Sequence, residues 1–294
     1  MIKLQTTTIL FIGLTLVSMG LFNKLFGQTK INASTSVSPT TSGGHNEDWD
    51  FYFSNVNDKL SSLFVDLSLH NVAPIKDKPN IMWISIKMNN PREDGLSSSE
   101  ESNLLAEIED HLVDGINLKF NSVYVGRLTS NGQRDLYFYL GDTTRYDKVV
   151  SNIMVAYPKY QFEYGSKADK DWSGYFDLLY PSPQQFQSIQ NRRVIDQLEK
   201  NGDKLTKARE VDHWMFFKTD NDRGKFLTKI KPDNFIIVDK DYDKKLGKLP
   251  YRLHIKRIDK VDWDSVDYYV IQLWKLATEC NGEYDGWETS VQKD

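Results

Sequence analysis

The feature that most restricts this 294-residue chain is a repeat in the order of its elements. Each half reads strand, helix, two strands, helix, strand. In the first half two leading strands begin at Trp49. Asn80 to Met88 then alternates Met82, Ile84, Ile86 and Met88 against Trp83, Ser85 and Lys87, the period of a strand. Asp94-Gly95 breaks it. Ser98 and Glu101 have capping-box spacing and open a helix with Leu104 or Leu105, Ile108 and Leu112 on one stripe, which Gly115 is expected to end. Ser122–Leu128 and Arg134–Leu140 are strands joined through Asn131-Gly132, a dipeptide that tolerates the positive φ angles of a tight hairpin turn. A second helix covers Thr143 to Ala156, Pro158 stops it, and Tyr160–Tyr164 is the last strand of the set.

Pro181 and Pro183 mark a boundary. Ser182, Pro183 and Gln185 then have the pattern of a helix start, and that helix runs through Val194, Ile195 and Leu198 to Gly202. Val211–Lys218 is an aromatic-rich strand and Asp222–Ile230 a short helix. Asn234–Asp239 contains Phe-Ile-Ile-Val, an apolar run expected of a strand covered on both faces. Tyr251–Ile258 alternates Tyr251, Leu253 and Ile255 against Arg252, His254 and Lys256. Ser265–Cys280 carries Val266, Val270, Leu273, Ala277 and Cys280 at helical spacing, with Asp264 as expected cap, and Glu283–Val291 is a final strand.

Right-handed crossovers place both helices of such a set on one face of a four-stranded antiparallel sheet and leave the other face open. The expected fold class is therefore α+β, with two α/β-sandwich domains, each built on a ferredoxin-like β-α-β-β-α-β core. Residues 48–181 form the first domain and 182–294 the second.

Ahead of them, Lys3 and the apolar run from Ile9 to Phe22 give residues 1–28 the shape of a signal peptide, cut near Ser18-Met19-Gly20 or after Gln28, or of an uncleaved N-terminal anchor. Residues 4–26 are then a possible membrane tether. Residues 29–47, without hydrophobic periodicity, read as a flexible linker. The location this implies is exported, periplasmic or membrane-anchored, with a cytoplasmic chain as the remaining alternative.

Composition excludes several functions. Aromatic residues make up 13 % of the chain, which argues against extended disorder. With 37 basic and 41 acidic residues there is no basic surplus to hold nucleic acid. A single cysteine excludes an intramolecular disulfide and a cysteine-rich zinc site.

Motifs for chemistry are few. Asp239-Lys240-Asp241-Tyr242-Asp243 begins like a calcium loop, but Lys244 and Pro250 stand where glycine and glutamate are required, so it reads as a charged turn. There is no phosphate loop, zinc-protease pair or nucleophile elbow. Cys280 lies on an apolar helix stripe, and His111 sits four residues after Glu107 as a surface pair. No catalytic residue, metal ligand or cofactor site is therefore assigned.

What remains lies on two adjacent central strands. His254 shares a face with Arg252 and Lys256 and is expected to look out from the open side. His213 either joins it there or, since Met215 and Phe217 alternate with it, is core, and a one-residue shift in register exchanges the two. A partner-binding surface would use Trp214, Arg252, His254 and Trp287, since Trp and Arg dominate interface energetics. A polar patch of His213, His254 and Arg252 with Asp285 or Glu288 would instead suit a metal-dependent enzyme or hydrolase. In ordinary packing, instead, Trp214 and Trp287 are core rings and His213 is a satisfied core histidine. A third functional reading is a structural envelope protein whose two domains bind each other.

Several segments also resemble known families. Gly202-Asp203-Lys204-Leu205, Arg209-Glu210-Val211-Asp212-His213-Trp214 and Tyr284-Asp285-Gly286-Trp287-Glu288-Thr289 make the C-terminal half similar to the regulator of ribonuclease E activity B (RraB) family. Asp94-Gly95-Leu96, Glu107-Ile108-Glu109-Asp110, Tyr124-Val125-Gly126-Arg127 with Thr129, and Trp172 through Leu179-Tyr180-Pro181 make the preceding half resemble domain-of-unknown-function family 695. The resemblance implies an α/β sandwich without cofactor that binds a protein partner. The family's named member inhibits an endoribonuclease from outside its active site. An exported chain would not meet a cytoplasmic ribonuclease, so the fold carries over and the identity of the partner does not.

Overall fold

The computed structural model describes residues 46–293. The expected leader or anchor over 1–28, its tether through 4–26 and nearly all of the linker lie outside the described residues. Among the described residues no helix is long and apolar enough to cross a membrane. The chain forms two compact units that divide between Ser182 and Pro183.

In the first unit β1 (Trp49–Val56), β2 (Lys59–Asp66), β3 (Asn80–Lys87), β4 (Val123–Ser130), β5 (Gln133–Leu140) and β6 (Phe162–Ala168) form one antiparallel sheet, ordered β1-β2-β4-β5-β3-β6. Its last four positions are the split βαβ order, and the β1–β2 hairpin extends it beyond β4. The alternation in β3 buries Met82, Ile84 and Ile86 against Leu105, Ile108, Leu112 and Ile116 of α1 (Ser99–Phe120) and Val150 and Met154 of α2 (Tyr146–Met154).

Asn131 and Gly132 turn the β4–β5 hairpin with φ of 49° and 78°, as the dipeptide predicts. Gly115 does not end α1. The helix continues to Phe120 because the bare Cα at 115 accommodates Ile153, whose Cδ1 would lie 2.5 Å from an added Cβ. The capping box is also absent. Ser98 is the N-cap but makes no side-chain cap bond, while Glu101 accepts the backbone N–H groups of Asn89 (2.7 Å) and Asn90 (2.8 Å).

The sheet face away from these helices is partly covered. Trp172, at φ 56°, stacks on Tyr139 at 3.9 Å and donates its indole N–H to the Lys78 carbonyl at 3.0 Å. A π-helical turn at Gly174–Leu179 follows and buries Tyr175 and Leu179. Gly126 lies at a β-bulge with φ 148°, where a Cβ would meet the Phe64 carbonyl oxygen at 2.3 Å. Gly126→Ala is therefore expected to destabilise this unit by about 1–3 kcal/mol, since backbone must move to admit the methyl. An unchanged urea midpoint would contradict this.

In the second unit β7 (Arg209–Phe217), β8 (Ile236–Tyr242), β9 (Tyr251–Asp259) and β10 (Gly282–Thr289) form an antiparallel sheet ordered β10-β7-β9-β8. This is again the split βαβ order. Val211, Met215, Phe217, Leu253 and Ile255 face a core completed by α3 (Pro183–Lys200), α4 (Asp220–Ile230) and α5 (Trp263–Glu279). The cap of α5 is Asp262, which accepts the Ser265 N–H at 3.1 Å, and not Asp264. The apolar run in β8 is not covered on both faces. As an edge strand it leaves Ile236 60 % exposed, with Ile237 and Val238 also exposed.

Candidate functional site

Strand register determines what the helix-free face of the second sheet displays. Directly opposed residues share a face, and Leu253 and Ile255 lie under the helices. Their β9 neighbours Arg252, His254 and Lys256 therefore point the other way, opposite Phe216, Trp214 and Asp212 of β7. On β8, Ile236, Asp239 and Asp241 oppose Lys256, His254 and Arg252. On β10, Glu283, Gly286 and Glu288 oppose Phe216, Trp214 and Asp212.

Each basic group of this face is held by carboxylates. The His254 ring stacks on the Trp214 indole at 4.4 Å and 18°, with Nε2 2.6 Å from Asp212 Oδ1. Arg252 Nη2 reaches Asp239 at 2.9 Å and Asp241 at 2.7 Å, and Lys256 Nζ lies 2.8 Å from Glu210. The side chains of Arg252 and His254 remain 33 % and 18 % exposed, so neither is under the helices.

Trp287, expected on the partner-binding surface, and His213, left open between the two faces, both lie in the core, where the packing alternative has them. β10 carries a bulge between Tyr284 and Gly286, which turns both Tyr284 and Trp287 toward the core. Trp287 is buried and donates Nε1 to Asn191 Oδ1 at 3.1 Å, so it is not part of an exposed docking surface. His213 pairs with Ile255 and is fully buried, with Nδ1 2.8 Å from the Tyr284 hydroxyl and ring edges against Phe235 and Tyr269. Burial, with Arg257 nearby, holds its pKa down to about 3, so it is neutral. His213 and His254 therefore lie on opposite faces of the sheet, and the two-histidine patch is not assembled. Among the described residues no group of three or more His, Cys, Asp or Glu is placed to hold a metal ion.

Asp285 occupies the bulge, where burial and then Glu283 push its carboxyl up to about 6. Glu288, opposite Asp212, is raised by burial and by that neighbour. Sequence reasoning missed Glu210, Asp212, Asp239 and Asp241. The signal for the last two was present, because carboxylates two apart on a strand share a face. They lay in the run weighed as a calcium loop.

In the first unit the motif residues of its helix and hairpin converge. Buried Glu109 of α1 accepts from Tyr124 (2.8 Å), Arg127 (2.6 Å) and Arg134 (3.3 Å). Arg127 also lies over the Phe64 ring at 4.4 Å. This network ties the helix to β4 and β5.

The protein is thus a two-domain α+β chain whose second sheet presents a charged aromatic face away from its helices. Family comparison agrees with the two halves. Residues 188–289 match the family Regulator of ribonuclease activity B, and residues 47–180 match a family of unknown function, DUF695. No curated protein matches the chain. Among solved structures, an unknown protein from Galdieria sulphuraria is similar at 8 % identity, with 71 % of this chain and 96 % of that one covered. Its TM-score is 0.20, and the likeness carries no argument.

Proposed function

We propose that this chain is a non-enzymatic regulatory protein, exported or tethered to the envelope, that binds a protein partner through the helix-free sheet face of its second unit. The observation that carries the reading is the Trp214–His254 stack framed by Asp212 and Arg252, a flat aromatic and charged surface of the kind that supplies interface anchors. The match to Regulator of ribonuclease activity B supports a regulatory, protein-binding role. The signal-like segment before residue 29 supports export, and an exported copy needs a partner other than a cytoplasmic ribonuclease.

The test is co-purification of the tagged full chain from envelope fractions after mild cross-linking. Wild type is expected to recover a stoichiometric partner. Trp214→Ala is expected to weaken its capture roughly 10- to 100-fold, as for loss of an interface anchor. A chain that recovers no partner, or whose Trp214→Ala variant binds unchanged, would overturn the reading. Sequencing the mature amino terminus tests the location separately, and Met1 in a soluble cytoplasmic fraction would refute export.

A further inference from the structure

The charges on the docking face identify the chemistry of what would cover it. Six carboxylates stand on that face: Glu210, Asp212, Asp239, Asp241, Glu283 and Glu288. Its two permanent cations, Arg252 and Lys256, are already engaged by Asp239, Asp241 and Glu210, and Asp212 engages His254. Asp239 and Asp241 share the single charge of Arg252, and on β10 Glu283 and Glu288 meet no cation of the face and flank Gly286, the residue without a side chain opposite Trp214. A second observation is independent of charge. At the other corner of the same face Ile236 and Ile258 are 60 % and 64 % exposed, one opposite Lys256 and the other two residues along β9.

A partner that only matched the carboxylates would leave these isoleucines in water. A purely apolar one would bury carboxylates without counter-charge, which is costly. We infer that the occupant is a basic amphipathic segment of a protein partner, with Lys or Arg reaching Glu283 and Glu288 and apolar side chains on Trp214, Ile236 and Ile258. From β10 to β8 the face spans three strand spacings, about 14 Å, enough to seat one helix or an extended segment. This inference rests on the proposed docking face and specifies its partner.

The probe is an 18-residue amphipathic peptide of Leu, Ala and Lys, compared with its Lys→Glu counterpart, titrated against the full chain by fluorescence anisotropy. The lysine peptide is expected to bind at least tenfold more tightly, and to weaken as salt rises. Glu283→Lys with Glu288→Lys is expected to lose that binding at least tenfold. The charge-matched pair Glu100→Lys with Asp114→Lys, on the first unit, is expected to leave it unchanged, with circular dichroism confirming that both fold. Equal binding of the two peptides, or equal effects of the two double variants, overturns the basic-partner inference. If Trp214→Ala still weakens capture of the cellular partner in that case, the docking face stands and only its partner chemistry is wrong.

Discussion

Replacing Arg209 with alanine is expected to lower the stability of the C-terminal unit by about 3–5 kcal/mol, the cost of leaving a buried carboxylate without its cation. Arg209 and Asp203 are each only 2 % exposed at the side chain and pair through both guanidinium Nη atoms, with Nη2 at 2.9 Å. Arg209 Nη1 also donates to the Ser290 carbonyl at 2.9 Å, while Asp203 accepts the N–H groups of Leu205 and Gln292, each at 2.8 Å. The pair thus ties the loop before β7 to the chain beyond β10. Burial pushes the Asp203 carboxyl up, but Arg209 and the two amides more than offset this and hold it below its ordinary range. Urea unfolding followed by tryptophan fluorescence measures the loss. Asp203→Leu combined with Arg209→Met is expected to be milder than Arg209→Ala, because no buried charge is then left unpaired. A single-variant loss below about 1 kcal/mol would assign the pair no more weight than a surface ion pair.

The same pair shows how far local pattern reading reaches. Gly202-Asp203 and Arg209 stood out in the sequence as family motif residues, but a buried pairing across six residues has no periodic signature. Period-two alternation correctly set the face of Arg252 and His254, because β9 runs its full length against β7 without interruption. Alternation does not carry through to Trp287, since a bulge inserts one residue and reverses every side chain after it. The apolar run in β8 resembles a buried strand in composition, and only sheet order reveals that it is an edge. Gly115 in α1 departs from its expected place at the helix end for a related reason. Its role is close approach to Ile153, a tertiary contact that overrides the usual meaning of glycine near a helix end.

The bulge in β10 also sets an expected pH response. Between about 6.5, where an unfolded imidazole titrates, and the folded His213 value of about 3, the unfolded chain binds more protons. His213 therefore makes stability fall as pH drops through that interval. Asp285 acts with the opposite sign. Its folded value of about 6 stands above the ordinary 3.8, so the folded chain binds the extra proton and gains stability as pH falls. From pH 7 to 4 the linkage gives a loss of about 3 kcal/mol from His213 and a gain of about 2 from Asp285. Glu288, also raised, adds to the gain.

Asp285→Asn, with the opposing group gone, should therefore lose about 2 kcal/mol more than wild type over this range. His213→Gln, which has no charge to gain, should flatten the acid limb or reverse its sign. Urea unfolding of the three full-length proteins at pH 7, 5.5 and 4 separates these outcomes, because the first unit is common to all and cancels in the differences. Parallel pH curves for wild type and Asp285→Asn would mean that the bulge does not desolvate its carboxylate, and the compensation between Asp285 and His213 would then be absent.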